Sequence, residues 1–124
     1  PLPRAKHYFL TPTARRHLRE AKAWSMARWG EKQTRAYFAD LHKGANDLAR
    51  NYAKYPRREE LSGGTGLRLY LVREHYLVFE PLGKDKIAIV AVIRQSRDIP
   101  AVLRKGKHVI ARELSVLREN DPSS

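Results

Sequence analysis

Ile87-Ala88-Ile89-Val90-Ala91-Val92-Ile93 is an unbroken apolar run. A strand with one wet face alternates apolar and polar residues, so a strand apolar throughout is covered on both faces. The run is therefore central in a sheet or packed beneath helices. Before it stands His75-Tyr76-Leu77-Val78-Phe79, separated from it by the turn signal Pro81-Leu82-Gly83-Lys84-Asp85. Earlier still, Leu67, Leu69 and Leu71 alternate with Arg68, Tyr70 and Val72, and Arg73-Glu74 forms a tight turn. Three strands joined by two hairpins make an antiparallel meander.

Upstream the texture is helical. His7-Tyr8-Phe9-Leu10 reads as a first strand. Thr11 is the expected N-cap of the helix that follows, with Pro12 at its first position. Ala14, Leu18, Ala21, Trp24 and Ala27 fall at helical spacing up to Trp29, and Gly30 is the expected C-terminal cap. From Glu31 to about Tyr52 a second stripe follows, through Tyr37, Phe38, Leu41, Ala45, Leu48 and Tyr52. The short joint makes the two helices an antiparallel hairpin. Gly44 inside the second helix is expected to let the helices approach closely. Pro56 to Gly66, with Ser62-Gly63-Gly64-Thr65-Gly66, reads as a mobile connecting loop.

Downstream, Asp98 caps a short turn or helix with Pro100 near its start, and Gly106 is expected to interrupt it. Lys107 to Arg118 forms an amphipathic helix with Val109, Ile110, Leu114 and Leu117 on one side; from Asn120 the chain is expected to fray. The reading is α+β in one domain, 1–124: a small antiparallel β-sheet with an N-terminal strand, an α-helical hairpin packed on one face, and a C-terminal helical extension. The core spans about 6–103 and the extension 104–124. The second sheet face is expected to stay partly open.

The chain has 124 residues, and 42% of them are hydrophobic, enough for one core. Its 25 Lys and Arg outweigh 13 Asp and Glu, a formal charge of +12. That excess opposes compaction and points to a partner of opposite sign, nucleic acid or an acidic protein, although high charge also serves solubility alone. Cysteine is absent, which excludes disulfides and thiolate chemistry and suits a reducing, cytoplasmic compartment. His7, His17, His42, His75 and His108 show no close metal spacing, so no metal or other cofactor is expected. No apolar run reaches the ~20 residues of a membrane span, and Pro1-Leu2-Pro3-Arg4 lacks the apolar segment of a secretory leader.

Several segments, in order, resemble a known family. Phe9-Leu10-Thr11-Pro12-Thr13-Ala14 is similar to the opening strand and helix start of RelE/ParE-superfamily toxins. Trp29-Gly30 before a second helix resembles the superfamily's helical hairpin. Gly66-Leu67-Arg68 and Tyr76-Leu77-Val78-Phe79 resemble its strand signatures. Val92-Ile93-Arg94-Gln95-Ser96-Arg97-Asp98-Ile99-Pro100 resembles the ending of the ParE-like branch, with Arg94 where that branch carries His. The resemblance spans about Lys6 to Leu103. It implies the toxin of a type II toxin–antitoxin pair, silenced by an acidic antitoxin in a hetero-oligomer. ParE-type members are taken to poison DNA gyrase, and RelE-type members to cut messenger RNA on the ribosome without a metal.

Metal-free RNA cleavage requires a base, an acid and cations for the phosphate. The exposed sheet face is expected to offer Arg68, Arg73, Arg94 and Arg97 as target-binding cations, with His75, Glu74 and Glu80 as nominal acid–base groups. Arg97 to Leu103 contains neither the Tyr nor the His usual after the last strand of RelE-like toxins. The expected function is therefore gyrase inhibition, with the nuclease as alternative and a basic nucleic-acid-binding module as a third reading. Antitoxin contact is assigned to Leu69, Tyr70 and Leu71, with Arg15 and Arg19 on the first helix. The plain readings are solvated strand arginines, a solvated basic helix face, and Trp24 and Trp29 as packing residues.

Overall fold

In the computed structural model, which describes residues 7–120, the apolar run lies within β4 (Lys86–Arg94). Lys6, the Pro1–Arg4 stretch and residues 121–124, over which fraying was expected, lie outside the described residues. β4 is internal to a four-stranded sheet of order β1-β4-β3-β2, formed with β1 (Tyr8–Leu10), β2 (Arg68–Val72) and β3 (His75–Gly83). The meander β2-β3-β4 is antiparallel, with two-residue turns at Arg73–Glu74 and Lys84–Asp85. β1 joins the other side of β4 in parallel, pairing Tyr8 with Ile87 and Leu10 with Ile89, so the sheet is mixed. A helical crossover separates β1 from its parallel neighbour, as such a connection requires.

One face carries the hairpin of α1 (Pro12–Trp29) and α2 (Glu31–Asn51). Tyr37, Leu41, Ala45, Leu48 and Ala49 of α2 pack there against Leu77, Phe79, Ile87, Ile89 and Val92. In α1 the buried residues are Thr13, Ala14 and Ser25, whereas the expected Ala27 is exposed. Gly30 joins the helices at φ +85, a conformation open to glycine. Gly44 serves the sheet rather than the neighbouring helix: a Cβ there would stand 2.8 Å from Val72 Cγ2.

The second face is not open. A single helix, α4 (Ile99–Glu119), runs through Gly106 without interruption and covers it. Ile99, Leu103, Ile110 and Leu114 pack there on Leu67, Leu69, Val78, Ala88, Val90, Ala91 and Ile93. The physical reason was already present in β4: with apolar side chains on both faces, each face must be covered. Each fully buried Leu or Ile stabilises the fold by about 1.5–3 kcal/mol. Asp98 caps α4 as expected, accepting from Ala101 N–H at 3.2 Å. Gly106 loses little by lying in a helix this well anchored on both sides. The expected loop also contains structure, the one-turn α3 (Glu59–Ser62), and a 3₁₀ turn (Tyr52–Lys54) precedes it. α3 packs so closely on α4 that a Cβ at Gly63 would meet the Pro100 carbonyl at 2.7 Å.

One irregularity in β4 organises the rest. Val78 pairs with Ala91 but Phe79 pairs with Ile89, leaving Val90 as an extra, bulged residue. Before the bulge, Ile87 and Ile89 face the hairpin; after it, Val92 does. Thr11, 1% exposed, braces this point. Its N–H donates to Ile89 O at 3.1 Å. Its Oγ1–H is shared between Ile89 O at 3.4 Å and Val90 O at 3.3 Å, while Oγ1 accepts from Ala14 N–H at 3.2 Å. The same hydroxyl caps α1 and holds the bulge.

Thr11→Ala should lower stability by about 1–2 kcal/mol, and Thr11→Ser should restore most of the loss. Chemical denaturation measures both, and equal losses would contradict the hydroxyl's role. Gly44→Ala should destabilise by about 1–3 kcal/mol despite alanine's helix preference, because its methyl group overpacks Val72. Combined with Val72→Ala, the penalty should largely vanish.

Candidate functional site

The bulge decides which face the end of β4 presents. In a regular strand Arg94 would share the face of Ala88 and Val90, toward α4; the shift at Val90 turns it to the α1 side. There its guanidinium lies over the Trp24 ring, 4.0 Å from the centroid. The indole also receives Arg28 at 4.8 Å and meets Trp29 edge-on at 5.4 Å. A cation on an aromatic face gains about 0.5–1 kcal/mol when exposed and more when desolvated. Trp24 is thus a platform for Arg94 as well as a packing residue.

Arg94 borders a cleft of about 570 Å³ between α1, the end of β4 and the start of α4. Arg16, His17, Glu20 and Trp24 form one wall; Val92, Arg94, Ser96 and Arg97 form the other; His75 and Val102 also line it. The loop carrying Arg97 is tied down at both ends. Arg97 N–H donates to Arg94 O at 3.0 Å, and Gln95 N–H donates to Glu74 O at 2.8 Å. Among the described residues no carboxylate lies within 4 Å of Arg16, Arg94 or Arg97, and Glu20 is the only acid in the lining.

Both histidines are locked by hydrogen bonds. β1 ends at Leu10, so beyond it the edge of β4 lacks a strand partner; His17 Nδ1 accepts from Val92 N–H there at 3.1 Å. A backbone N–H only donates, so Nδ1 carries no proton and the neutral ring keeps its proton on Nε2. His75 Nδ1 lies 2.6 Å from Tyr37 Oη, which accepts from Glu74 N–H at 3.2 Å. Tyr37 Oη and His75 Nδ1 share one proton along this contact, and the His75 tautomer sets which of them donates. Burial holds both imidazoles below the ordinary value of 6.5. Arg16 and Arg97 push His17 further down against Glu20 and Glu113, and Arg94 pushes His75 down against Glu74. Both rings are neutral near pH 7.

The four expected target-binding arginines therefore do not share one face. Arg94 and Arg97 meet at the cleft, where Arg16 and His17 join them. Arg73 occupies the β2–β3 turn with φ +52, paired with Asp40 and 5.2 Å from the Tyr37 ring centroid. Arg68 reaches the Tyr55 carbonyl at 3.5 Å on the hairpin side. Glu80, 8% exposed, lies beside Arg57 at 3.6 Å on the α4 side. Burial raises its carboxyl above the usual range, opposed by Arg57, Arg68 and Arg118. Of the expected antitoxin-contact residues, Leu69 is 4% exposed and enclosed beneath α4, so it presents no surface. Leu71 is exposed on the edge strand β2, and Tyr70 is half-buried against Tyr55 at 4.8 Å. Arg15 and Arg19 are exposed on α1, and His108 is exposed on α4. Among the described residues no group of three His, Cys, Asp or Glu is placed to hold a metal, and no helix is long and apolar enough to cross a membrane. Sequence reasoning missed His17, placed Arg16 only in a general basic face of the first helix, and favoured packing over a platform role for Trp24. The available signal was the seven-residue spacing of His17 and Trp24, which puts them two turns apart on one helix face.

The depressed histidines make stability pH-dependent. As pH falls below about 6.5 the unfolded chain binds protons more readily, so stability present above that value is lost as pH approaches the folded pKa. His17→Asn offers Val92 N–H an acceptor but does not titrate. Between about pH 7 and pH 5 its unfolding free energy should decline less than that of the wild type. Glu80, shifted upward, acts with the opposite sign in both proteins and cancels in the comparison. Equal declines would contradict the assignment.

No curated protein matches the chain. A family model described as the ParE toxin of the type II toxin–antitoxin system parDE matches residues 8–99. The match runs from the first strand through the meander, the cleft and the first residue of α4, and it covers most of the sequence. The chain thus belongs to the ParE family of type II toxin–antitoxin toxins.

Proposed function

We propose that this toxin arrests growth in the cytoplasm by binding and poisoning DNA gyrase, and that an acidic antitoxin silences it. The observation carrying the target side is the cleft beyond β4. Three arginines (Arg16, Arg94 and Arg97) stand there with no carboxylate of the described residues within 4 Å, one of them seated on Trp24. Such cations raise encounter rates and supply binding energy toward an acidic surface.

The nuclease alternative fits the cleft less well. General base catalysis needs an imidazole nitrogen free to take a proton. His17 Nδ1 is occupied by Val92 N–H, which leaves Nε2 protonated, and His75 Nδ1 is occupied by Tyr37. His17, with Nε2 protonated, is disposed to hold an anion rather than accept a proton.

Silencing by an acidic partner is supported by the charge of +12 and by the free outer edge of β2. An extended segment adding to that edge gains backbone hydrogen bonds and meets Leu71 and Tyr70. Arg15 and Arg19, exposed on α1, suit its acidic residues.

Purified toxin should inhibit gyrase supercoiling while leaving ribosome-bound messenger RNA intact. Arg94→Ala or Arg97→Ala should each raise the inhibitory concentration about tenfold, the loss expected for one charge-assisted contact, with thermal melting little changed. Codon-phased cleavage with unimpaired supercoiling would establish the nuclease instead.

A further inference from the structure

The cleft holds more than positive charge. It sets two neutral imidazoles beside three guanidiniums, in a recess with a single acid in its lining. The rings are fixed. Val92 N–H holds His17 in the Nε2–H form, and Tyr37, itself accepting from Glu74 N–H, holds the His75 ring in place through Nδ1. Arg94 is fixed too, by the Trp24 ring at 4.0 Å. An oxyanion with several acceptor oxygens and spread charge matches this set of donors; a carboxylate on a flexible side chain would use only some of them. Guanidiniums in particular match phosphate geometry by paired hydrogen bonds.

On this basis we infer that the cleft is a phosphate-binding site, gripping a backbone phosphodiester of a nucleic-acid strand through Arg94, Arg97 and Arg16 with the Nε2–H group of His17, beside the His75 ring. The inference rests on the reading that this cleft faces the target, and it names the chemical group recognised there. Base recognition is not built in. The indole that would stack on a base already carries two guanidiniums, Arg94 and Arg28 at 4.0 and 4.8 Å. Sequence-independent contact with the strand follows, since phosphates carry no base information. The low histidine pKa values fit the same picture: neutral rings add no charge to the three arginines.

The test uses the intact protein and a fluorescently labelled single-stranded DNA of about 12 nucleotides, followed by anisotropy over a range of salt. Arg94→Ala and Arg97→Ala should each weaken binding about tenfold, and each should reduce the salt slope by about 0.7. Arg94→Lys should keep most of the slope while losing affinity, because it retains the charge but not the paired donors. His17→Asn, which removes the Nε2 donor without changing charge at neutral pH, should weaken binding several-fold with the slope unchanged. Lys32→Ala and Lys43→Ala, exposed on α2 outside the cleft, should change affinity less than about twofold.

Nuclear magnetic resonance of the His17 and His75 ring nitrogens then separates the possible sources of phosphate. Shifts produced by the oligonucleotide well below the concentration of inorganic phosphate needed for the same effect support a strand backbone. Shifts with inorganic phosphate alone would overturn that assignment. Equal losses in cleft and α2 variants would reduce the interaction to general charge attraction and also overturn it. DNA binding at the cleft without gyrase inhibition would leave the phosphate site standing and remove gyrase as the target. Gyrase inhibition by a protein whose cleft variants bind DNA like the wild type would do the reverse.

Discussion

A single surplus residue in β4, Val90, decides what this toxin presents to its surroundings. A strand side chain has only two faces to choose from, and one inserted residue exchanges them for everything downstream. Upstream of Val90 the strand satisfies two cores at once. Downstream, Val92 and Arg94 turn toward α1, and the strand's last cation enters a cleft rather than the seam beneath α4. Thr11 makes this arrangement stable, because its backbone and hydroxyl meet the carbonyls at the bulge while capping α1. Fold and site therefore share one small polar joint. His17 adds a second, taking the β4 edge N–H that β1 is too short to reach.

The excess of positive charge is distributed unevenly between cations that are ion-paired and cations that are not. Arg73 is matched by Asp40, Arg57 by Glu80 and Arg35 by Glu31. The exposed pairs Arg73–Asp40 and Arg35–Glu31 contribute ~0–1 kcal/mol each, so they tidy the surface more than they hold the fold together. Arg16, Arg94 and Arg97 converge without such partners, a costly placement in a protein already carrying +12. Glu20 is the one acid in the lining, so most of the repulsion among these arginines is left for a bound anion to relieve.

Much of the fold was legible in local sequence. Thr11-Pro12 and Gly30 bounded α1 because capping and backbone freedom are short-range properties. The apolar β4 announced a central strand because burial on both faces leaves no alternation. That same observation implied a cover for the second face; the helix over Lys107 to Arg118 was legible, but Gly106 hid its continuity back to Ile99 and with it the cover it provides. α4 exists as one piece because Ile99, Leu103, Ile110 and Leu114 dock on the sheet, a tertiary gain that overrides a single glycine. The site was half legible. Arg94 and Arg97 stood out as neighbours after the last strand. His17 lies 75 positions from Val92, and no local pattern connects the two. A bulge also leaves no mark in a uniformly apolar run, so the face of Arg94 followed only from the pairing of Ile89 and Ala91 with β3. Arg68 alternated into apparent exposure but lies half-buried on the hairpin side, and Arg73 is exposed at the turn where it was read.

The claim that the bulge swings Arg94 onto α1 is tested most directly by nuclear Overhauser contacts of the Arg94 side chain in the free protein. With its guanidinium 4.0 Å from the indole centroid, the Arg94 methylenes should show cross-peaks to the ring protons of Trp24. Cross-peaks to the side chains of Ile99 and Leu103 in their place would put Arg94 under α4, and the account of the cleft would fail.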